Sequence, residues 1–435
     1  RPRVLALADR LRADRHAVRL MRALRSRYGP GPLLLRIPGR PIAVLLETDD
    51  VERVLDRTPS PFTPAAREKR AALGHFQPHA VLASPMPERA PRRHFNEQVL
   101  ESDRVEHSLA PIVREVVRDE TMRLLGGRTA LAWPDFEVAW WRIVRRLVLG
   151  DHARDAREVT DDLAALRSRG NWAFLLPAAR HRRGTFRARL AAHLDRAEPG
   201  SLAAALTDDT RRDVLPRIGT GADDLDPYGQ VPHWLFAFDA AGMVTLRTLA
   251  VLSTHPRDAA RAREEAHAAR PGDAALPFLR ACVRETVRLW PTTPVLLRES
   301  TTATSWRGTT LTRGTLFVVF APYFHRAPEL VPFPDGFHPV PPEDTCGATE
   351  GAERWPGLVP FSAGPGRCPG ENLVLLVTAT MLAEFLRQGR YRVLAPRSLL
   401  ARGNAHDRLP ATLNHYALRF ARDPAEGSQA SANPG

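Results

Sequence analysis

The chain has 435 residues, of which 43% are hydrophobic and 26% are charged, so it can bury a large core. The formal net charge of +13 comes almost wholly from arginine, because Lys69 is the one lysine, and no basic motif interleaved with aromatic residues indicates nucleic-acid binding. Cys282, Cys346 and Cys368 cannot all pair, which excludes a complete disulfide framework and is typical of a reducing compartment.

Residues 1–27 are amphipathic and rich in arginine, and they predict an N-terminal helix on the protein surface. They lack the apolar segment of a cleavable export signal, and the longest apolar runs of the chain are of strand length, so we expect no membrane span. Two such runs, Leu33–Ile37 and Ile42–Glu47, are separated by a turn sequence that contains Pro38 and Gly39. This pattern predicts a β-hairpin.

Further elements follow in chain order. Helices are predicted at Thr48–Asp56, Val105–Leu125, Phe136–Leu149, Asp162–Ser168 and Thr185–Arg196, and two strands within Thr309–Phe320. The connection between the fourth and fifth of these helices carries Trp172 and Phe174. The last residues, 423–435, are small and polar and predict a disordered tail.

A long apolar stretch that begins at Trp234 predicts a buried helix with small residues at its middle. Ala241 and Gly242 allow another group to approach the helix closely, and Thr245 can bond back to a carbonyl one turn earlier and bend the helix. Taken alone, a glycine and a threonine inside a core helix more often serve packing.

A second helical stretch, from Phe278 to Pro291, contains Glu285 and Arg288 three residues apart, so both lie on one helical face and can pair. In isolation such a pair is most often a solvated contact worth less than about 1 kcal/mol. An apolar segment follows and ends at Arg298.

The sequence from Phe361 to Gly370 places Cys368 in a loop rich in glycine and proline, directly before an apolar helix. A sulfur that faces backbone N–H groups and a helix N-terminus is expected to stay ionised. Gly364, Gly366 and Gly370 carry no Cβ and let the backbone pass close to a flat group. An axial haem thiolate needs this combination, whereas a buried structural cysteine is the alternative interpretation.

These three motifs, in this order, resemble the cytochrome P450 family of haem-thiolate monooxygenases, and the resemblance runs from about Tyr28 to Phe420. It implies a mainly α (α+β), single-domain fold over residues 28–422, helix-rich with small β-sheets around one haem b. Cys368 is then the axial ligand, in a loop with Phe361, Gly364 and Gly370. The resemblance also implies an oxygen groove at Ala241, Gly242 and Thr245, a propionate contact at Arg298, and a structural role for Glu285 and Arg288.

A weaker match to the same family lies at Arg89 and Arg93, four residues apart on one predicted helical turn. The family places propionate ligands there, and guanidinium groups bind carboxylates through two parallel hydrogen bonds. The alternative is a solvated basic helix face.

Three positions depart from the family pattern. Val244 stands where an acid precedes the threonine, and Asp239 lies six residues before Thr245 and faces away from it. Gly366 stands where the family has Arg or His two residues before the cysteine, and no arginine follows Phe337. The usual proton route and the partner of the Glu285–Arg288 pair are therefore open.

Analogy with the family places a largely apolar pocket wall at several points of the chain. The candidate lining residues are Phe76, Val81, Leu82, Trp172, Phe174, Phe238, Val295, Leu296, Leu413 and Asn414, with His75 and His79 as further candidates for polar contacts. Each polar candidate is individually more typical of a loop or capping residue.

The resemblance implies oxygen-dependent monooxygenation of a largely apolar small molecule by a cytoplasmic monomer. A basic chain attracts an acidic electron donor, so we expect a separate ferredoxin-type partner. Two alternatives stay open: a haem-thiolate enzyme that catalyses aromatic coupling, desaturation or rearrangement, suggested by Val244, and a non-catalytic haem or ligand binder, suggested by Gly366.

Overall fold

A computed structural model describes residues 2–206, 225–269, 276–340, 357–400 and 408–424. Helices dominate them. They are α1 (Pro2–Arg10), α2 (Ala13–Tyr28), α3 (Thr48–Asp56), α4 (Arg67–Leu73), α5 (Arg89–Val99), α6 (Ala110–Leu125), α7 (Trp133–Leu149), α8 (Arg157–Gly170), α9 (Arg180–Leu194), α10 (Pro227–Leu252), α11 (Pro256–Ala268), α12 (Pro277–Leu289), α13 (Ala321–His325), α14 (Glu371–Arg387) and α15 (Arg397–Leu400).

Small sheets complete the described fold. The strands are β1 (Leu33–Ile37), β2 (Arg40–Val44), β3 (Phe62–Thr63), β4 (Ala130–Ala132), β5 (Val295–Ser300), β6 (Thr304–Trp306), β7 (Thr309–Leu311), β8 (Leu316–Phe320), β9 (Gly389–Ala395) and β10 (Arg419–Pro424). One sheet has the order β1-β2-β8-β5-β3, a second has the order β4-β10-β9, and β6 pairs with β7. The mainly α (α+β) fold predicted from the sequence is confirmed.

Two clusters of buried apolar side chains form the core. The larger cluster joins the helices around α10 and α14, with Trp140, Phe136 and Phe385 among its fully buried members. The smaller cluster lies between the five-stranded sheet and helices α2 and α3. Helix α10 begins with Pro227 after the N-cap Asp226, whose Oδ1 accepts the N–H of Gly229 at 3.1 Å.

Several predicted boundaries differ from the structure. The expected single N-terminal helix is two helices, because Arg12 adopts a left-handed φ of 50° between them. The helix expected from Val105 begins at Ala110, which precedes the N1/N2 proline of α6. Strand β10 includes Asp423 and Pro424, which pair with β9, so the predicted tail does not begin at 423. The remaining tail residues 425–435 and Cys346 lie outside the described residues.

Within the described residues, one helix, α10, is long and apolar enough to cross a membrane. The most apolar 18-residue window of α10 is 72% buried inside the fold. A core helix has this property, because every face of the helix packs against other elements.

Candidate active site around Cys368

The Cys368 loop is a compact turn held by its own backbone. The N–H of Cys368 donates to the carbonyl oxygen of Phe361 at 2.8 Å, and the N–H of Arg367 donates to Gly364 at 2.9 Å. Helix α14 begins three residues after the cysteine, at Glu371. The loop therefore holds the sulfur just ahead of the helix N-terminus, as the sequence predicted.

Burial raises the pKa of the Cys368 thiol to about 11, although a hydrogen bond from the Gly370 N–H to the sulfur lowers it. The negative charge of Glu371 adds to the increase, while Arg93 and Arg367 oppose it. The expectation of an ionised free thiol is therefore wrong, because desolvation outweighs the helix terminus. A bound metal ion deprotonates such a thiol outright.

The three glycines of the loop each lie close to another segment of the protein. Gly364 has a left-handed φ of 58°, and a Cβ there would lie 2.6 Å from the backbone oxygen of Leu55 in α3. A Cβ on Gly370 would make an ordinary 3.6 Å contact with Leu100 Cδ1. At Gly366 a Cβ would lie 2.6 Å from Nη2 of Arg298. The guanidinium of Arg298 thus fills the space that a side chain at 366 would need.

Three arginines lie around the loop. Arg93 donates to the carbonyl oxygen of Arg367 at 2.7 Å and pairs with Glu97. Arg89, which is 3% exposed, donates to the carbonyl of Val81 at 2.6 Å.

Arg298 is equally buried, and it bonds neutral oxygens of Thr58, Leu297 and Ser362. Burial and the neighbouring Arg89 lower the pKa of the Arg298 guanidinium to about 10. Among the described residues no carboxylate pairs with either Arg89 or Arg298.

The pair of Glu285 and Arg288 is buried and completed by backbone groups. The guanidinium of Arg288 holds the carboxylate through two bonds of 2.6 and 2.7 Å. It also donates to the carbonyls of His325, Phe333, Pro334 and Gly336, and Glu285 accepts the N–H of His338 at 3.0 Å. Backbone groups therefore complete the Glu285–Arg288 pair, in place of the arginine that is absent after Phe337.

His325 connects this network to the strand-like segment that precedes the cysteine loop. Its Nε2 accepts the N–H of Val359 at 3.0 Å, so Nδ1 carries the proton and donates to the carbonyl of Arg288 at 3.1 Å. Burial and the charge of Arg288 lower the pKa of this imidazole to about 3. The sequence analysis missed His325, because a lone histidine after a strand gives no pattern.

Helix α10 carries the predicted oxygen groove. Thr245, fully buried, donates from Oγ1 to the carbonyl of Ala241 at 2.9 Å, the back-bond that the sequence predicted. A Cβ on Gly242 would lie 2.7 Å from Nε1 of Trp140, which itself donates to the carbonyl of Phe238 at 2.8 Å. Gly242 therefore admits an indole ring, and the sequence pattern gave no sign of that contact.

In the described part of the chain, no acidic side chain of α10 bonds Thr245. Val244, where an acid was expected, is buried in the larger core cluster. Asp239 pairs with Arg167 of α8 at 2.9 Å. The structure thus agrees with the sequence prediction that Asp239 does not serve Thr245.

The predicted pocket wall is only partly assembled. Most of its members are buried or half-buried, namely Phe76, Val81, Leu82, Phe238, Leu296, Leu413 and Asn414, and Val295 is 39% exposed. Trp172 and Phe174 are 58% and 61% exposed, so this structure does not enclose them in a wall.

Two of the predicted wall residues have structural contacts. Leu296 belongs to the smaller core cluster, because alternation along β5 turns it away from Val295. Asn414 accepts the N–H of Tyr416 at 3.1 Å as a cap.

The remaining polar candidates are also held by the fold. His79 bonds Asp226 at 2.6 Å, whereas His75 is buried with Nδ1 unbonded. Burial and two nearby arginines lower the pKa of His75.

Two cavities accompany these residues. One of about 300 Å³ is lined by Phe76, by side chains of α9 and by the start of α10. Another of about 800 Å³ is lined by Glu285, Arg288 and Phe337, and none of the residues predicted for catalysis contacts it. We therefore assign no substrate to the larger cavity.

A cysteine loop that precedes an apolar helix offers the thiolate ligand that haem-thiolate proteins use, and buried arginines and a long helix with a threonine back-bond accompany it. A family model described as Cytochrome P450 matches residues 238–398. The chain is 29% identical over 198 residues to cyclooctat-9-en-7-ol 5-monooxygenase of Streptomyces melanosporofaciens. It is 29% identical over 178 residues to 2-hydroxyisoflavanone synthase of Glycine max. These matches span 41% and 38% of the chain, and 40% and 34% of the two relatives.

Solved structures agree with the fold. Retinoic acid bound cyanobacterial CYP120A1 superposes with a TM-score of 0.70 at 16% identity, covering 93% of this chain and 94% of that one. A zebra fish cytochrome P450 with abiraterone gives a TM-score of 0.69 at 21% identity, covering 94% and 98%. These matches support membership of the cytochrome P450 family, with the family model covering the C-terminal half from residue 238 to 398 and the solved structures sharing the fold.

The family implies a haem iron cofactor, and the residues present fit it. Cys368 offers one soft ligand at a helix N-terminus, the arrangement of a cysteinyl axial ligand. Arg89 and Arg298 are buried cations bonded only to neutral oxygens, and such groups require an anion beside them. The carboxylates of a haem meet this requirement.

Proposed function

We propose that this protein is a haem-thiolate oxidoreductase that binds haem b through Cys368 and carries out oxygen-dependent monooxygenation of a largely apolar small molecule. The observation that carries the proposal is the Cys368 loop, in which the sulfur accepts the Gly370 N–H beside buried arginines that lack carboxylate partners. When bound, the haem supplies dioxygen binding and cleavage of the O–O bond, which a thiolate ligand favours.

The residues of the loop hold the ligand and its counter-charges. The bond from the Cys368 N–H to Phe361 fixes the turn, and the Gly370 N–H stabilises negative charge on the sulfur. Arg93, Arg89 and Arg298 would bind the carboxylates of the cofactor, because guanidinium groups bind carboxylates in a fixed fork.

Thr245 would hold water beside the reacting oxygen. Its hydroxyl proton is committed to the carbonyl of Ala241, so the lone pairs of Oγ1 remain free to accept a hydrogen bond from a water molecule. With Val244 in place of an acid and Asp239 bound to Arg167, protons would reach the site through water or through the substrate itself.

The cofactor assignment is tested by the absorption spectrum of the ferrous protein with carbon monoxide. We expect a strongly red-shifted Soret band in the wild-type protein and its loss in Cys368→Ser. Cys282→Ser is the matched control, because that thiol is fully buried inside α12 and burial raises its pKa far above the usual value. A histidine-like band in the wild-type protein would refute thiolate ligation.

The role of Thr245 is tested by electron accounting. Thr245→Ala should release more peroxide per electron delivered by a ferredoxin and its reductase. Thr248→Ala is the control. Thr248 makes the same type of back-bond, to the carbonyl of Val244, but its hydroxyl also bonds that of Thr286 on α12 and so packs against another helix. Equal peroxide release from both variants would contradict the role. The product mass then decides the reaction type, since hydroxylation adds one oxygen and coupling or desaturation only removes hydrogen.

We further propose that the enzyme works in the cytoplasm as a monomer with a separate ferredoxin-type donor. Arg367 and Arg284 are partly exposed beside the cysteine loop, where both pair with Glu371, and the chain carries a net charge of +13. An acidic donor would be attracted to this face, so its rate of reduction should fall as ionic strength rises. A rate independent of salt would contradict an acidic partner.

A further inference from the structure

Lys69, the one lysine of the chain, lies among other cations. It is partly buried on α4, and its Nζ donates to the carbonyl oxygen of Leu297 at 3.3 Å. Nη1 of Arg298 donates to the same oxygen at 3.0 Å. One neutral acceptor thus holds two positive groups close together.

The other charged groups around Lys69 are also basic. Burial, together with the charges of Arg298 and Arg89, lowers the pKa of Lys69 to about 7. Burial and the charge of Lys69 lower the pKa of His233 on α10 to about 4. Gln77, bonded to His233 at 3.2 Å, is neutral.

The neighbouring carboxylates are bound to a different cation. Glu68 precedes Lys69 and Glu299 follows Arg298, yet both pair with Arg40, at 2.6 and 2.7 Å. Within the described residues no carboxylate bonds Lys69 or Arg298. The fold therefore gathers cations from α4, α5 and β5 and turns the adjacent acids away from them.

Burying like charges without an anion is costly, so this arrangement indicates a negatively charged occupant. We propose that Lys69 and Arg298 form a carboxylate-binding site, in which the Lys69 ammonium binds a carboxylate of a bound molecule directly. Two of the three ammonium protons of Lys69 remain for that carboxylate, because one is donated to Leu297.

The inference rests on the proposed function, because both sources of the carboxylate belong to that site. One source is a propionate of haem b. Gly366 stands where the family has an Arg or His, and the guanidinium of Arg298 occupies the space of that side chain. Lys69 would then supply the cation that is absent at position 366. The other source is a small-molecule acid, whose carboxylate Lys69 would bind.

A single labelled residue reports on the proposal. Protein grown with ¹³C-labelled lysine gives one ε-methylene signal, which we would titrate in the diamagnetic ferrous carbon monoxide form. We expect the pKa of Lys69 to lie about two units or more above 7 when a carboxylate binds it. Octanoate and dodecanoate are the added acids, and the primary alcohols of the same lengths are the neutral controls.

Lys69→Met removes the ammonium, Lys69→Arg keeps a cation, and Arg70→Met removes an exposed charge from the same helix. If a propionate is the partner, the pKa is raised without added acid. Lys69→Met then transfers haem to apomyoglobin several-fold faster, while Arg70→Met does not. If a small-molecule acid is the partner, the pKa rises only with added acid, and Lys69→Met loses the preference for acid over alcohol.

A pKa near 7 with and without acid, together with unchanged haem transfer in Lys69→Met, would overturn the proposal. The carbon monoxide spectrum of the same sample reports on Cys368 independently. A thiolate band beside an unresponsive Lys69 refutes only the carboxylate site. A histidine-like band refutes the proposed function, while the titration with octanoate still decides the carboxylate site.

Discussion

Replacing Arg288 by methionine should unfold the protein far more readily than replacing an exposed arginine. The guanidinium makes six hydrogen bonds, two to Glu285 and four to backbone carbonyls, and its side chain is 5% exposed. Methionine keeps most of the apolar stem but leaves a buried carboxylate without its cation and several carbonyls without donors. Breaking a buried pair in this way costs about 3–5 kcal/mol of unfolding free energy.

The assay is urea unfolding of the haem-loaded protein, from which the shift in midpoint gives the difference in unfolding free energy. Arg123→Met is the control, because Arg123 pairs with Asp119 on α6 with 63% of its side chain exposed, and it should cost less than about 1 kcal/mol. Arg288→Lys keeps the charge but cannot form the two-pronged contact, and it should fall between the two. A loss below about 1 kcal/mol for Arg288→Met, or equal losses for both methionine variants, would refute a buried structural pair.

Three further changes test the packing around the site. Gly364→Ala should cost about 2 kcal/mol or more in urea unfolding, because it combines a left-handed φ with a 2.6 Å approach to the Leu55 oxygen, and a wild-type midpoint would contradict this. Gly242→Ala should displace the Trp140 indole and alter its fluorescence, and an unchanged emission spectrum would contradict the contact. His325 favours folding only while neutral: its folded pKa of about 3 lies below the unfolded 6.5, so unfolding free energy should fall by about 1.4 kcal/mol per unit as pH drops between them. His325→Gln should flatten that pH dependence, and an unchanged slope in the variant would assign it to other groups.

Local patterns in the sequence predicted much of the fold. Helix α3 has its predicted limits, because Val51, Val54 and Leu55 recur at helical spacing after an acidic first turn. The back-bond of Thr245 was predicted as well, since it depends only on residues within one helical turn.

Contacts between distant segments gave no sequence signal. Gly242 and Trp140 are 102 positions apart in the numbering, and Gly364 meets Leu55 across more than 300 residues, so no local pattern could predict these contacts. The prediction that the Cys368 sulfur stays ionised also failed for the thiol without a bound metal. Its pKa is raised by desolvation, which depends on how the whole fold surrounds the sulfur.

The presence of one lysine also makes this chain a reporter of its own local opening. Lysyl endopeptidase can cut the sequence only after Lys69, whose side chain is partly buried on α4 and bonded to β5. Cleavage there requires α4 to unwind from the sheet, so the appearance of two fragments measures how often that corner of the fold opens. A carboxylate bound to Lys69 would slow the cleavage by making opening rarer, without inhibiting the protease.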